Sequence, residues 1–536
     1  MGKHHLYILI ILVFAVLSAG GVLYALRSDN VAIEQWQFVD RAPSIRPDYS
    51  GVVIPPNIAP LNFRVQENGS YYCVKIYSNR GKAIEVFSRS PNIVIPQNPW
   101  HKLLDMNRGK KLCFDVFVKP TGSGASAKKQ NNRWDRFSTI NNKIAPEDID
   151  GFLVYRTHHP STHLINGRVG IYQRNLHRFD ESPILDNTYY KRGCLNCHTF
   201  YNNRTDKMVI GIRSRVHGSS TLLVEDGAVN RVGTKFTYTT WHPSGRVIAY
   251  SLNMVRQFFH SARNEIRDAV DLDSVLLYYL VDSKIVKTSP KLSDKKRLET
   301  YPAWSPDGRY LYFCSAPMLW SDKNKIPPDR YNEVKYDLMR ISYDIESDRW
   351  GEPETVLSAQ DTGLSILMPR VSPDGRWLLF CMCDYGCFPA FQQSSDLYIM
   401  DLNAAQKTGR YNYHRLENNS DQCDSWHSWS SNSRWIVFSS KRRDGVFTRP
   451  YISYVDHTGK AYKPFLLPQK DPTFYDSCLQ TYNTPELVIE PVKVTKEKLG
   501  RVVRGSRQIS IDMPITMATP KAGQIPSQEY LFEERE

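Results

Sequence analysis

Apolar and polar positions alternate along most of this chain. Lys111-Leu112-Cys113-Phe114-Asp115-Val116-Phe117-Val118 is the clearest case, and Tyr71-Tyr72-Cys73-Val74-Lys75-Ile76-Tyr77 and Leu61-Asn62-Phe63-Arg64-Val65 repeat it. A period of two in segments this short predicts half-buried strands. Polar turns such as Ser78-Asn79-Arg80-Gly81 separate them. Residues 61–150 are therefore expected to form a small β-sandwich-like domain. A proline-rich extended lead-in, residues 31–60, precedes it.

From residue 241 the alternation acquires a longer period. Trp241-His242-Pro243-Ser244-Gly245-Arg246, Trp304-Ser305-Pro306-Asp307-Gly308-Arg309 and Val371-Ser372-Pro373-Asp374-Gly375-Arg376 share one pattern. Trp429-Ser430-Ser431-Asn432-Ser433-Arg434 is a fourth copy without the proline and the glycine. The copies start 63, 67 and 58 residues apart. Proline presets a turn, and the glycine supplies its left-handed position. Each copy reads as strand, tight turn, strand, followed by a second pair of strands. A unit of this kind buries its two faces only against neighbours, so the repeat predicts a β-propeller of about six blades over residues 151–495.

The pattern at the start is different. Residues 6–26 are almost wholly apolar behind a short basic flank, long enough for a membrane-spanning helix or a signal segment. With no clear cleavage site and no cysteine for a lipid, residues 1–30 are expected to be an uncleaved anchor or a signal peptide. The chain would then lie in the cell envelope, anchored on the periplasmic side of the cytoplasmic membrane or free in the periplasm. The expected fold class is thus all-β, a propeller preceded by a β-sandwich and an N-terminal transmembrane or signal segment. Residues 496–536 read as a tail.

Composition adds a partner class. The formal net charge is +14, which favours anionic partners or an acidic protein surface. No basic-aromatic recognition pattern points to nucleic acid, and export argues against it. Ten cysteines are present. In an oxidising compartment Cys73 with Cys113, and Cys381 with Cys387, are candidate disulfides.

Two of the ten carry the most specific signal. Cys194-Leu195-Asn196-Cys197-His198 occurs once. Two thiols at this spacing add to the vinyl groups of one haem, and the adjacent imidazole binds its iron. Cys194, Cys197 and His198 are the expected attachment site of one covalent haem c. Aligning Phe200 with Trp304 pairs His198 with Pro302, and the fourth repeat places His427 at that position. His427 is therefore the first candidate for the sixth iron ligand, with His260 and Met254 as weaker ones. No catalytic residue is identified by motif.

The repeat segment WSPDGRYLYF resembles the repeats of TolB. The segments IPPNIAPLNF, GIYQRNL, CLNCHTF, SWHSW and KPFLLPQKDP are similar to a family of TolB-like, single-haem proteins from Bacteroidetes-type and related bacteria. This resemblance implies the propeller and the haem and leaves the reaction open. The reading so formed is an exported monohaem c-type cytochrome that passes single electrons to an envelope or redox partner. Two alternatives stand beside it. One is a haem enzyme that activates a small molecule at an open distal site. The other is a scaffold that binds protein or glycan and carries a structural haem.

Overall fold

A computed structural model describes residues 33–121, 133–160, 167–190, 193–214, 216–261 and 265–514, the side chains of Asn196 and Cys197 excepted. Six four-stranded antiparallel sheets follow one another from residue 152 to residue 488. Five are simple meanders that start at Cys194–Tyr201, Thr239–Trp241, Arg297–Trp304, Ser365–Val371 and Asp424–Trp429. The sixth is sewn from both sides of the chain: Thr481–Val488 pairs with Phe152–His158, which continues into Val169–Asn175 and Glu181–Asp186.

Each repeat segment straddles the first turn of its sheet. In the third sheet Trp304 ends one strand and Tyr310 begins the next. Between them Ser305 Oγ donates to Asp307 Oδ1 at 2.6 Å and accepts from the Tyr310 amide at 3.0 Å. Gly308 closes the turn at φ 73°. The Ser372 and Ser430 turns repeat these bonds. In the fourth copy Ser433 takes the left-handed position at φ 60°, a conformation that costs a non-glycine residue about 1–2 kcal/mol.

The first strands of successive sheets lie against one another, and Thr481–Val488 touches both Asp424–Trp429 and Cys194–Tyr201. Between neighbouring sheets lie apolar layers, such as Trp304, Phe313, Tyr343 and Trp350 packed against Tyr278. The expected fold class is corrected here. No sheet closes or curls upon itself, and the architecture is all-β, built of many small antiparallel sheets in a multi-blade arrangement.

The expected β-sandwich is corrected as well. Residues 35–144 form a seven-stranded mixed sheet, a separate three-stranded sheet and the helix Gln97–Asp105. Gln35–Val39 runs parallel to Arg133–Phe137, inside the stretch read as lead-in. Val74, Ile76, Leu112, Phe114 and Val116 share one core with Leu379, Trp435, Ile452 and Tyr482 of the later sheets. A core common to both parts explains why the N-terminal residues make no free-standing sandwich.

The apolar run at residues 6–26 lies outside the described residues. Among the described residues no helix is long and apolar enough to cross a membrane, so the expected transmembrane element has no support there. Beyond residue 495 the helix Lys496–Arg504 buries Leu499 and Val503 against Tyr190 and Val224. That part of the expected tail is packed structure.

Candidate functional site

The first strands carry a shared irregularity. Pairing with the second strand skips between Leu195 and His198, Thr300 and Ala303, Leu367 and Arg370, and Ser425 and Ser428. Thr481–Val488 shows the same skip between Asn483 and Glu486. Each is a β-bulge, in which two residues stand opposite one. Its first residue is left-handed at Tyr301 (φ 54°), Met368 (57°), Trp426 (48°) and Thr484 (46°). Four such residues at equivalent places are strain of the kind that functional sites retain.

The bulges also fix the register. His198 stands where the other strands have Ala303, Arg370, Ser428 and Glu486, and Cys197 stands where they have Pro302, Pro369, His427 and Pro485. The pairing of His198 with Pro302 expected from the repeats is therefore corrected by one residue. A two-residue bulge hides this shift from any alignment based on alternation.

The bulges converge on one cavity of about 40 Å³, lined among others by His198, Tyr301, Arg370, Trp426, His427 and Glu486. At roughly 10–15 Å³ per water, it admits a molecule of a few heavy atoms. His198 and His427 are 2% and 4% exposed. Burial, then Arg156 and Arg370, push His198 down to about 3 against a weaker contribution from the Val154 carbonyl. Burial, then Arg370, push His427 down to about 3, offset in part by the Leu379 and Met368 carbonyls. Both imidazoles are neutral at physiological pH.

The tautomer of His427 follows from its partner. Its Nε2 lies 3.2 Å from the Leu379 carbonyl oxygen. A carbonyl only accepts, so Nε2 carries the proton and Nδ1 presents a bare lone pair. At hydrogen-bond distance and angle that Nδ1 has no partner, nor does either ring nitrogen of His198, near which only the Val154 carbonyl lies, nor Trp426 Nε1. Glu486 closes one side, 3.7 Å from Arg370 Nη2, and accepts from the Phe200 amide at 3.2 Å. Burial pushes its carboxyl up to about 7, against Arg370 and the Phe200 amide. Sequence reasoning missed Glu486 and Arg370, because only the bulge register brings them into line with His198.

Cys194 sits at the start of the same strand, half-buried. Arg156 Nη2 lies 3.6 Å from its Sγ. Burial raises its pKa, but Arg156 and Arg213 outweigh burial and hold the thiol below its ordinary range. A thiol so disposed forms thiolate readily. The residues thus fit a haem by donor chemistry: a nucleophilic thiol at Cys194 and a buried, neutral, unpartnered imidazole at His198. A macrocycle does not fit inside the 40 Å³ cavity, so the cavity itself is a place for a smaller molecule.

The weaker ligand candidates lie elsewhere. Met254 packs with Phe258, Val270 and Leu272, and His260 Nε2 lies 3.0 Å from Asp268 Oδ2. Neither lines the cavity. The candidate disulfides are not formed: Cys73, Cys113, Cys381 and Cys387 are all unbridged. Cys73 pairs with Phe117 and Cys113 with Tyr77, four residues along adjacent strands, or about 13 Å. That exceeds the roughly 7 Å a disulfide can span. Burial pushes the Cys381 and Cys387 thiols far up, which suits inert core residues.

The electron-carrier reading is corrected at this point. Among the described residues no group of three or more His, Cys, Asp and Glu side chains is arranged to hold a metal ion. Nε2 of His427 is taken by a carbonyl, and a pocket for a small molecule lies beside the ring. A carrier with closed axial ligation needs neither feature.

No family model matches the chain, and no curated protein matches it. Similar solved structures are β-rich enzymes at low identity. A luciferin-regenerating enzyme is 8% identical over 59% of this chain and 92% of its own, with a TM-score of 0.32. The GH74 enzyme of Niastella koreensis is 11% identical over 59% and 46%, with a TM-score of 0.37. The oligogalacturonate lyase of Vibrio parahaemolyticus is 11% identical over 74% and 100%, with a TM-score of 0.31. The chain is thus distantly similar to β-rich hydrolases and lyases, and no TolB-like haem family is shown by these matches.

Proposed function

We propose that the chain is an enzyme that activates a small polar molecule in the cavity beside His198 and His427, with one haem c attached through Cys194 and Cys197 and ligated by His198. The observation that carries this reading is the set of buried polar atoms without partners around one small cavity: both nitrogens of His198, Nδ1 of His427 and Nε1 of Trp426. Leaving such atoms unpaired costs about 1–3 kcal/mol each, so a bound group that satisfies them is the economical explanation. The similarity of CLNCHTF and SWHSW to TolB-like single-haem proteins supports the cofactor.

When bound, the haem would supply one-electron chemistry. The chain's own residues do the rest. Cys194, held towards its thiolate by Arg156 and Arg213, forms one of the two covalent links. His198 is kept neutral by burial, so a lone pair is free for iron. His427 Nδ1 accepts a hydrogen bond or a proton from the bound molecule, while the Leu379 carbonyl holds the ring in the tautomer this needs. Trp426 Nε1 donates, and Arg370 places positive charge at the wall. Covalent haem implies an extracytoplasmic location, where an envelope partner would exchange electrons with the site.

The test is expression with haem-attachment machinery. Wild type retains haem through denaturation and solvent extraction, and Cys194→Ser/Cys197→Ser loses it. Cyanide binds the ferric protein, and Trp426→Phe, which removes the Nε1 donor, weakens that binding about tenfold, the value of one buried hydrogen bond. Absence of haem after extraction refutes the cofactor. A low-spin, six-coordinate protein that excludes cyanide refutes the open site.

A further inference from the structure

The N-terminal mixed sheet has two unlike faces. Even-numbered residues of Tyr71–Tyr77 and Lys111–Lys119, among them Val74, Ile76, Leu112 and Phe114, enter the main core. Odd-numbered residues point outward. There Cys73, Phe117 and Trp134 form a small separate cluster with Tyr71 beside it. Around that cluster the aromatic rings are uncovered: Trp36 is 45% exposed, Phe38 56% and Phe87 38%. Trp36 and Phe38 share a face because they are two residues apart on one strand, and their register partners are Trp134 and Arg136.

Charge on this face is net positive. Asp115 is compensated by Arg136 at 3.2 Å and Glu85 by Lys75 at 3.2 Å, and exposed Glu34 and Asp40 flank the edge strand. Arg136 also lies over the Trp36 ring at 4.9 Å, and Arg89 over Tyr71 at 5.9 Å. Lys111, Lys119 and Lys143 follow the outward parity and carry uncompensated positive charge, with Lys111 and Lys143 exposed. Exposed Trp and Phe beside surplus Lys is the composition of a surface seated at a bilayer interface with anionic headgroups.

The chain leading into this face has the matching character. Eight residues separate the apolar run of residues 6–26 from Gln35, the first residue of the edge strand. Eight residues span at most about 30 Å, so the patch stays close to whatever holds that run. We infer that the outer face of the N-terminal sheet, centred on Trp36 and Phe38, docks onto an anionic lipid surface. The docking orients the six-sheet part, and the small-molecule site with it, relative to the membrane. This inference rests on the extracytoplasmic location proposed above, and its test reads lipid binding, not haem.

The test uses the full chain with vesicles of phosphatidylcholine alone or mixed with phosphatidylglycerol. All variants keep residues 6–26, so that run contributes equally to each. Trp36→Ser/Phe38→Ser is expected to partition onto mixed vesicles at least tenfold less than wild type. Lys111→Glu/Lys143→Glu is expected to lose the preference for mixed over neutral vesicles. All four positions are on the surface, so unchanged melting confirms folding. Equal partitioning of wild type and both variants assigns all lipid binding to the apolar run and overturns the proposal. Failure to bind either vesicle overturns it too and leaves a protein partner for the face. Haem content and cyanide binding stay unchanged in both variants, so this test and the preceding one fail separately.

Discussion

If His427 is neutral in the folded chain, its burial must appear as a proton taken up on unfolding. Its pKa is about 3 when folded, against an ordinary 6.5. Because the folded value is depressed, the unfolded chain binds the extra proton between these limits, and stability rises with pH across that window. At pH 5 the unfolded imidazole is almost fully protonated and the folded one almost fully neutral. The difference is about one proton and, integrated from neutral pH, about 2 kcal/mol of stability lost. The ring is 4% exposed, so solvent screening takes little from this figure. The perturbation is His427→Gln, which keeps a polar group but removes the titration. Proton uptake on urea unfolding at pH 5, followed at constant pH in haem-free chain, should be about one proton smaller for the variant. At pH 7.5 the two should agree. Carboxylates titrate alike in both and cancel. Equal uptake at pH 5 would mean that the folded chain already holds the proton, and the tautomer argument at Leu379 would collapse with it.

Gly308 and Gly375 occupy equivalent turns at φ 73° and 76°, but an added Cβ at Gly308 would lie 2.3 Å from His242 Nε2, and at Gly375 it meets nothing. Alanine at Gly375 should cost about 1–2 kcal/mol, the left-handed penalty alone, and at Gly308 clearly more, as read from chemical denaturation. Thr484→Asn should stabilise the chain by up to about 1 kcal/mol, since asparagine tolerates the φ of 46° that a β-branched residue does not. Melting temperature checks the gain, and cyanide affinity reports whether the strain serves the cavity. Asp150→Ala removes the acceptor of the Ser431 amide at 2.8 Å and of its hydroxyl, and should destabilise by about 1–3 kcal/mol in the same denaturation assay.

The turns were the most legible part of the sequence. Proline and Asp-Gly announce a conformation that few other residues adopt, and the structure puts those residues at φ 73° and 76° between first and second strands. Alternation likewise found Tyr71–Tyr77 to the residue. It failed where strands are short or pair in parallel. Gln35–Val39 exposes four of its five residues, so its sequence carries no alternation to read. The helix Lys496–Arg504 is nine residues of mostly charged side chains that bury only Leu499, Gly500 and Val503, too little for a period to stand out. The sandwich expected at residues 61–150 failed for another reason. Which face of a strand meets which partner is decided by distant residues such as Trp435 and Tyr482, and local pattern does not name them.

At the site, chemistry was legible and geometry was not. The thiols and imidazole of Cys194-Leu195-Asn196-Cys197-His198 declare themselves by type and spacing, and His427 by its place between Trp426 and Trp429. The meeting of His198 and His427 in one cavity depends on bulges in their first strands, and a bulge breaks the period by which strands are recognised. Its trace in sequence is faint: a bulky residue before proline at Tyr301-Pro302, Met368-Pro369 and Thr484-Pro485, with Trp426-His427 in the same place. Aligned on those pairs, the strands bring His198, Arg370 and Glu486 into one layer, and the second bulge position reads Cys197, Pro302, Pro369, His427 and Pro485. Proline at that position lacks an N–H, so the bulge leaves no amide donor to be satisfied there. Cys197 and His427 are the two residues at this position that keep the donor and add a reactive side chain. One repeated backbone irregularity thus has a structural form, carried by proline, and a chemical form, carried by cysteine and histidine, and the candidate site lies where the chemical form replaces the structural one.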